Sequence, residues 1–143
     1  METQNVTIML NSSIRHPEQD EETHELHAIG QYIKKAGRSY LKFNEEQSGN
    51  RIETTVKMGD KDALIMRRGA VDMRLPFNLD EERQGTYGSG PANFQLIVKT
   101  NNLEFTKLVD GFGGRFTVAY ELVAEGSVLG IYELTITYSE GTI

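Results

Sequence analysis

A chain of 143 residues is the size of one domain, and such a domain buries roughly 70% of the surface its unfolded chain exposes. With 38% hydrophobic, 8% aromatic and 25% charged residues, 14 Gly and 3 Pro, the composition is that of an ordinary globular protein. It excludes collagen-like, low-complexity and disordered classes, and zero Cys excludes a disulfide scaffold, thiolate zinc sites, iron–sulfur ligation and a cysteine nucleophile.

The net charge of -6 gathers in segment 18 to 25, where Glu18, Asp20, Glu21, Glu22 and Glu25 occur with no Lys or Arg; removing these five leaves 16 acids against 15 bases. Neither nucleic acid nor a membrane surface is an expected partner, because both call for an excess of Lys and Arg on one face. The opening Met-Glu-Thr-Gln lacks the basic region and apolar run of a secretory signal, and no window approaches the roughly 18 apolar residues of a membrane helix. A cytoplasmic location is expected.

Along the chain, apolar residues recur with period two. Val6, Ile8 and Leu10 open the series, followed by Leu26, Ala28 and Tyr32, by Leu41 and Phe43, and by Ile52, Thr54, Val56 and Met58. Leu64 and Met66 mark a fifth strand, although Ala63, Ile65 and Arg67 form an almost equally apolar alternative phase. Val71, Met73, Leu75 and Phe77 come next, then Phe94, Leu96 and Val98, and two long strands close the series on Phe116 to Leu122 and Tyr132 to Tyr138. Turn signals fall between these runs at Lys35-Ala36-Gly37, Gln47 to Asn50, Gly59-Asp60, Asn101-Asn102, Asp110 to Gly114 and Glu125-Gly126. The least strand-like stretches are 15 to 24 and 78 to 92. The pattern predicts one all-β domain over 1–143, a closed antiparallel meander barrel of about eight to eleven strands, since closure covers every apolar face and removes sheet edges.

Four segments carry a resemblance: Met66-Arg67-Arg68-Gly69-Ala70-Val71-Asp72-Met73, Tyr40-Leu41-Lys42-Phe43-Asn44-Glu45-Glu46, Gly114-Arg115-Phe116-Thr117-Val118-Ala119-Tyr120-Glu121, and Leu134-Thr135-Ile136-Thr137-Tyr138 with Gly141-Thr142. In colinear order they resemble the YwiB-like family of small bacterial barrels. The resemblance implies a calycin-like, lipocalin-type barrel in the cytoplasm of Gram-positive bacteria and carries no established activity. After Tyr87 the chain departs from the family pattern with a longer connection, Gly88-Ser89-Gly90-Pro91-Ala92.

The candidate site follows from parity. If every connection is a simple hairpin, strands 40 to 46 and 62 to 68 run in the same direction with 51 to 58 between them, so Glu45 and Arg68 reach one rim. The two strands stand roughly 9.6 Å apart, a span two long side chains close over a small intervening residue. Such a pair either satisfies two desolvated charges and fixes register or anchors a ligand, Arg68 being suited to bidentate anion recognition. The same parity assigns the connections at 13 to 24, 46 to 50, Gly69, 88 to 92 and 110 to 114 to that rim, and ligand entrances of barrels are commonly ringed by long loops.

Other motifs carry less. Gly85, Gly88 and Gly90 lack the order of a phosphate cradle and open no helix. His24 and His27, three apart on one strand, point to opposite faces and share no metal; no metal or cofactor is expected, and no catalytic triad is discernible. Among the aromatics, Phe94, Phe116, Tyr120, Tyr132 and Tyr138 read first as barrel filling.

Three functions compete. The leading one is a non-enzymatic barrel binding a small anionic or amphipathic molecule at its mouth, with Arg68 as anchor and Glu45, Tyr120 and Tyr138 nearby. The second is an enzyme using Glu45 as general acid or base, for which a neighbouring Arg is unhelpful because it favours the ionised carboxylate. The third is a protein-interaction module that offers the acidic 18–25 loop to a basic partner.

Overall fold

In the computed structural model, residues 2–47, 49–89, 92–109 and 111–140 are described. They form ten strands: β1 (Glu2–Arg15), β2 (Glu22–Lys35), β3 (Arg38–Gln47), β4 (Asn50–Met58), β5 (Asp62–Gly69), β6 (Asp72–Asn78), β7 (Arg83–Ser89), β8 (Ala92–Lys107), β9 (Gly113–Ala124) and β10 (Ser127–Glu140). Each pairs antiparallel with its neighbour in sequence, and β10 closes the sheet onto β1. The result is the expected closed meander.

Alternation does the folding. On β9, Phe116, Val118, Tyr120 and Leu122 are buried while Arg115 is exposed; on β4, Ile52, Thr54, Val56 and Met58 are buried while Arg51 and Glu53 are exposed. Apolar side chains inside and charges outside reverse the alternation of a lipid-embedded barrel. No helix among the described residues is long and apolar enough to cross a membrane. Two of the hairpins, Ala36-Gly37 and Glu125-Gly126, have both central residues at positive φ (52° and 78°; 51° and 79°), the two-residue turn whose twist matches the flanking strands.

Several local expectations differ from the structure. Asn101-Asn102 is not a turn: β8 runs through it, with a register shift against β9 between Thr100 and Asn102. The extra residue switches the inward phase from Leu96 and Val98 to Leu103 and Phe105, and this break in period imitates a strand end. Removing that turn reverses the parity beyond it, so the β8–β9 connection sits at the rim opposite the β1–β2, β3–β4, β5–β6, β7–β8 and β9–β10 turns. Those five define the upper end. The stretch 78 to 92 holds strand β7, and the acidic segment is a loop only as far as Glu21, because Glu22 and Glu25 are exposed residues of β2. Ser48, Gly90, Pro91, Asp110, Gly141 and Thr142 lie outside the described residues, so the connections expected at 46 to 50, 88 to 92 and 110 to 114 are described in part.

The β2–β3 ladder runs from Lys35/Arg38 only up to Gln31/Lys42. Above that point β2 is laddered to β1 alone and β3 to β4 alone.

Candidate functional site

Inward side chains do not fill the barrel. A cavity of about 1190 Å³ occupies its upper half, bounded by Phe43, Val56, Ile65, Leu75, Leu96 and Ile136 below and reaching His16, Tyr87, Phe94 and Leu129 at the rim. Its upper edge is tied together where the His16 ring Nδ1 lies 3.0 Å from the Leu129 carbonyl oxygen, joining the β1–β2 connection to β10.

One wall of the cavity carries charge. Glu45 on β3, Thr54 on β4 and Arg67 on β5 stand on three consecutive strands: Thr54 and Arg67 are directly opposed, and Glu45, opposite Ile52 and two residues beyond Thr54's partner Phe43, reaches Thr54 on the diagonal. Thr54 Oγ1 donates to Glu45 Oε2 at 2.7 Å, and Arg67 Nη2 approaches the same oxygen at 3.4 Å. The side chains of Arg67 and Glu45 are 24% and 21% exposed. Arg67 Nε is buried without a hydrogen-bond partner, which leaves one donor of a five-donor fork unsatisfied. Directly beneath this polar row lies an apolar one, Phe43, Val56 and Ile65, each two residues along the same strands.

Aromatic hydroxyls complete the wall. Tyr120 and Tyr132 stack at 5.0 Å with an interplanar angle of 8°. Burial pushes the Tyr120 hydroxyl well above the ordinary tyrosine range, the Tyr132 ring adds to this and Arg67 partly offsets it; Tyr132 is raised by burial and then by Tyr87. Among the described residues no group of three or more His, Cys, Asp and Glu is placed to hold a metal ion.

Of the four expected site residues, the structure brings Glu45 and Tyr120 to the cavity. Arg68 is a correction: it is exposed on the outer face, opposite Glu53 in register, and Arg67 takes the inward place. The reason is the β5–β6 hairpin, which sets Ala63, Ile65 and Arg67 opposite Phe77, Leu75 and Met73, and directly opposed residues share a face. The alternative phase is the real one. The expected bridging of two strands over a small residue survives with Thr54 beneath it.

Tyr138 is the second correction, because it lies at the lower end, away from the cavity. There its ring stacks on Tyr32 at 5.4 Å, Phe112 packs edge-on to Tyr32 at 5.0 Å, and Tyr32 OH shares a 2.7 Å hydrogen bond with buried Ser39 Oγ. Phe94, expected as filling, is 57% exposed at the upper rim. Sequence reasoning missed Thr54 and Arg67 as site residues; the pairing of the clearly phased Met73, Leu75 and Phe77 with β5 was the signal that could have found Arg67.

A closed ten-strand antiparallel barrel defines the class, and the comparisons agree on that fold. Residues 8–136 match the model of a domain of unknown function, DUF1934, and the chain belongs to that family. It is 28% identical over 123 residues to the uncharacterized β-barrel protein YwiB of Bacillus subtilis (strain 168), covering 86% of this chain and 85% of that one. The crystal structure of the ywiB protein from Bacillus subtilis superposes with a TM-score of 0.84 at 26% identity, over 98% of this chain and 94% of that one.

Proposed function

We propose that this barrel is a non-enzymatic binding protein that holds a small amphipathic molecule in its upper cavity, with Glu45, Thr54 and Arg67 as the polar anchor. The observation that carries the reading is the cavity itself. At about 1190 Å³ it exceeds the 300–1,000 Å³ typical of small-molecule sites, and its lining combines apolar side chains with a convergent polar cluster inside and further polar residues such as Ser12, His16, Asn93 and Glu125, a mixture suited to a ligand pocket. An interior kept only for stability would be packed to the density of other protein cores. Glu45 engages Thr54 and Arg67 through one oxygen, an arrangement suited to orienting a ligand more than to transferring a proton.

This reading joins the chain to the calycin and lipocalin-type barrels, up-and-down barrels that enclose a ligand, with ten strands here against the eight of lipocalins. We place it in the cytoplasm, which suits a core held together by packing alone, from Val6 and Ile8 through Ile136. The test is titration with the neutral dye Nile red. Saturable binding at one dye per chain, abolished by Ala124→Trp at the cavity wall, is expected. Absence of saturable binding, or binding that Ala124→Trp leaves unchanged in a folded variant, overturns the reading.

A further inference from the structure

We propose that the Glu45–Thr54–Arg67 wall selects a neutral head group of the carboxamide type, one that donates and accepts hydrogen bonds on neighbouring atoms, and that it rejects carboxylates. The inference deepens the cavity reading above and rests on it.

A lone arginine in an apolar barrel is a site for an anion, but Arg67 is not alone. Its guanidinium already faces Glu45 at 3.4 Å, so the pair carries no net charge. Both side chains keep less than a quarter of their surface exposed. A carboxylate brought to Arg67 sets a second negative charge beside Glu45 where little water screens it, and like charges in partly desolvated sites repel strongly.

The hydrogen-bonding capacity left over is more specific than the charge. Arg67 Nε has no acceptor, and the 3.4 Å contact of Nη2 is long against the roughly 2.7–2.9 Å of a good charge-assisted bond. The guanidinium therefore has room to turn toward an incoming oxygen. On the carboxylate, Thr54 and Arg67 both address Oε2, and Oε1 is the oxygen left to receive a donor. One acceptor for Arg67 and one donor for Glu45 Oε1 are what the edge of an amide, urea or lactam presents. A carboxylate supplies acceptors only and an ammonium donors only. The remainder of such a molecule is apolar, because the row beneath the cluster is Phe43, Val56 and Ile65. Polar sites discriminate most sharply when a mismatched ligand leaves their buried groups unpaired.

Matched ten-carbon probes separate the head from the tail. Decanamide, decanoate and decylammonium displace Nile red from the wild-type chain at pH 8, where decanoate is ionised. Decanamide is expected to displace at about tenfold lower concentration than either ion, and the Arg67 Nε–H resonance, followed by nuclear magnetic resonance, is expected to shift on its addition. In Glu45→Gln the freed guanidinium should invert the order, with decanoate gaining about tenfold or more on decanamide. In Arg67→Met the three should fall within about threefold of one another.

Decanoate binding best to the wild type, or no displacement by decanamide of a dye that does bind, overturns the head-group assignment and leaves the cavity reading standing. Failure of the dye itself to bind removes the cavity reading and this inference with it. Should Glu45→Gln not fold, the wild-type ranking and the Arg67 Nε–H shift decide the matter by themselves.

Discussion

The two ends of the barrel are built from the same alternation and differ in what the inward residues meet. At the lower end Tyr32, Phe112 and Tyr138 interlock as a stack and an edge contact, and the Tyr32 hydroxyl is paired with buried Ser39. At the upper end the inward Glu45, Thr54 and Arg67 line the cavity, the Arg67 Nε has no hydrogen-bond partner in the protein, and the β2–β3 ladder has already ended. A single strand thus meets packed neighbours along one half and the cavity along the other. The proposed binding role draws on this contrast, because unsatisfied polar groups and cavities both cost stability and here they coincide.

The largest effect should fall on the packed region. Phe116 is fully buried, and Phe116→Ala is expected to lower the unfolding free energy by about 3–5 kcal/mol, read from urea denaturation. Phe94, 57% exposed at the open rim, should tolerate the same truncation within about 0.5 kcal/mol. Equal losses would erase the distinction between the two ends.

A smaller effect sharpens the description of the closed end. Gly114 lies under the Tyr138 ring, where an added Cβ would stand 2.6 Å from the tyrosine hydroxyl oxygen and 2.8 Å from the Thr106 carbonyl oxygen. Gly114→Ala should cost about 1–3 kcal/mol through overpacking. Tyr138→Phe removes only the hydroxyl, so the penalty should shrink in that background while the ring carbon Cζ and the Thr106 carbonyl, each 2.8 Å from the added Cβ, keep it above zero. A glycine substitution that costs nothing would show that the lower plug has slack.

At the open end the effect is smaller again. Arg67→Met should destabilise by about 1–2 kcal/mol, between the values of exposed and buried ion pairs. Arg68→Met, on the outer face, should stay within about 0.5 kcal/mol. A double-mutant cycle of Glu45→Gln with Arg67→Met is expected to show coupling above about 0.5 kcal/mol, whereas the cycle with Arg68→Met should be additive to about 0.3 kcal/mol. The reverse outcome would restore Arg68 to the interior.

These neighbours also show how far the site was legible. Nine of the ten strands declare themselves or their phase through runs such as Phe116-Val118-Tyr120-Leu122 or are bounded by turns such as Ala36-Gly37, and closure follows from the need to cover one apolar face. The exception in recognition is β7, Arg83–Ser89, whose Gly85 and Gly88 are buried and supply no apolar signal. On β5, both faces are apolar because Leu64 and Met66 lie half-buried outside while Ala63 and Ile65 fill the inside. Periodicity cannot choose between such phases; the pairing with β6 does. The bulge at Thr100/Asn102 hid a second fact, since one extra residue shifts the period and imitates a turn. Long-range register, a property of two strands at once, decided which arginine enters the barrel.

The last prediction concerns alkaline pH and vanishes at neutrality. Burial is the main cause raising the hydroxyls of Tyr120 and Tyr138, with Tyr132 adding to the first and Tyr32 to the second, and burial with Tyr87 raises Tyr132. The folded chain therefore holds these protons where the unfolded chain, titrating near pH 10, releases them. Between those two ranges the native state binds more protons than the unfolded state, so stability is fully present below about pH 10 and declines as pH rises. Absorbance at the tyrosinate band should show Tyr120, Tyr132 and Tyr138 ionising late. The open and closed ends should then separate. Tyr138 belongs to the packed plug, and its ionisation should coincide with loss of the fold. Tyr120 and Tyr132 face the cavity, and a ligand that fills it should delay their ionisation further without moving Tyr138. Ionisation of all three together, unaffected by cavity ligand, would show that the two ends melt as one unit and that the upper wall is no more accessible than the plug.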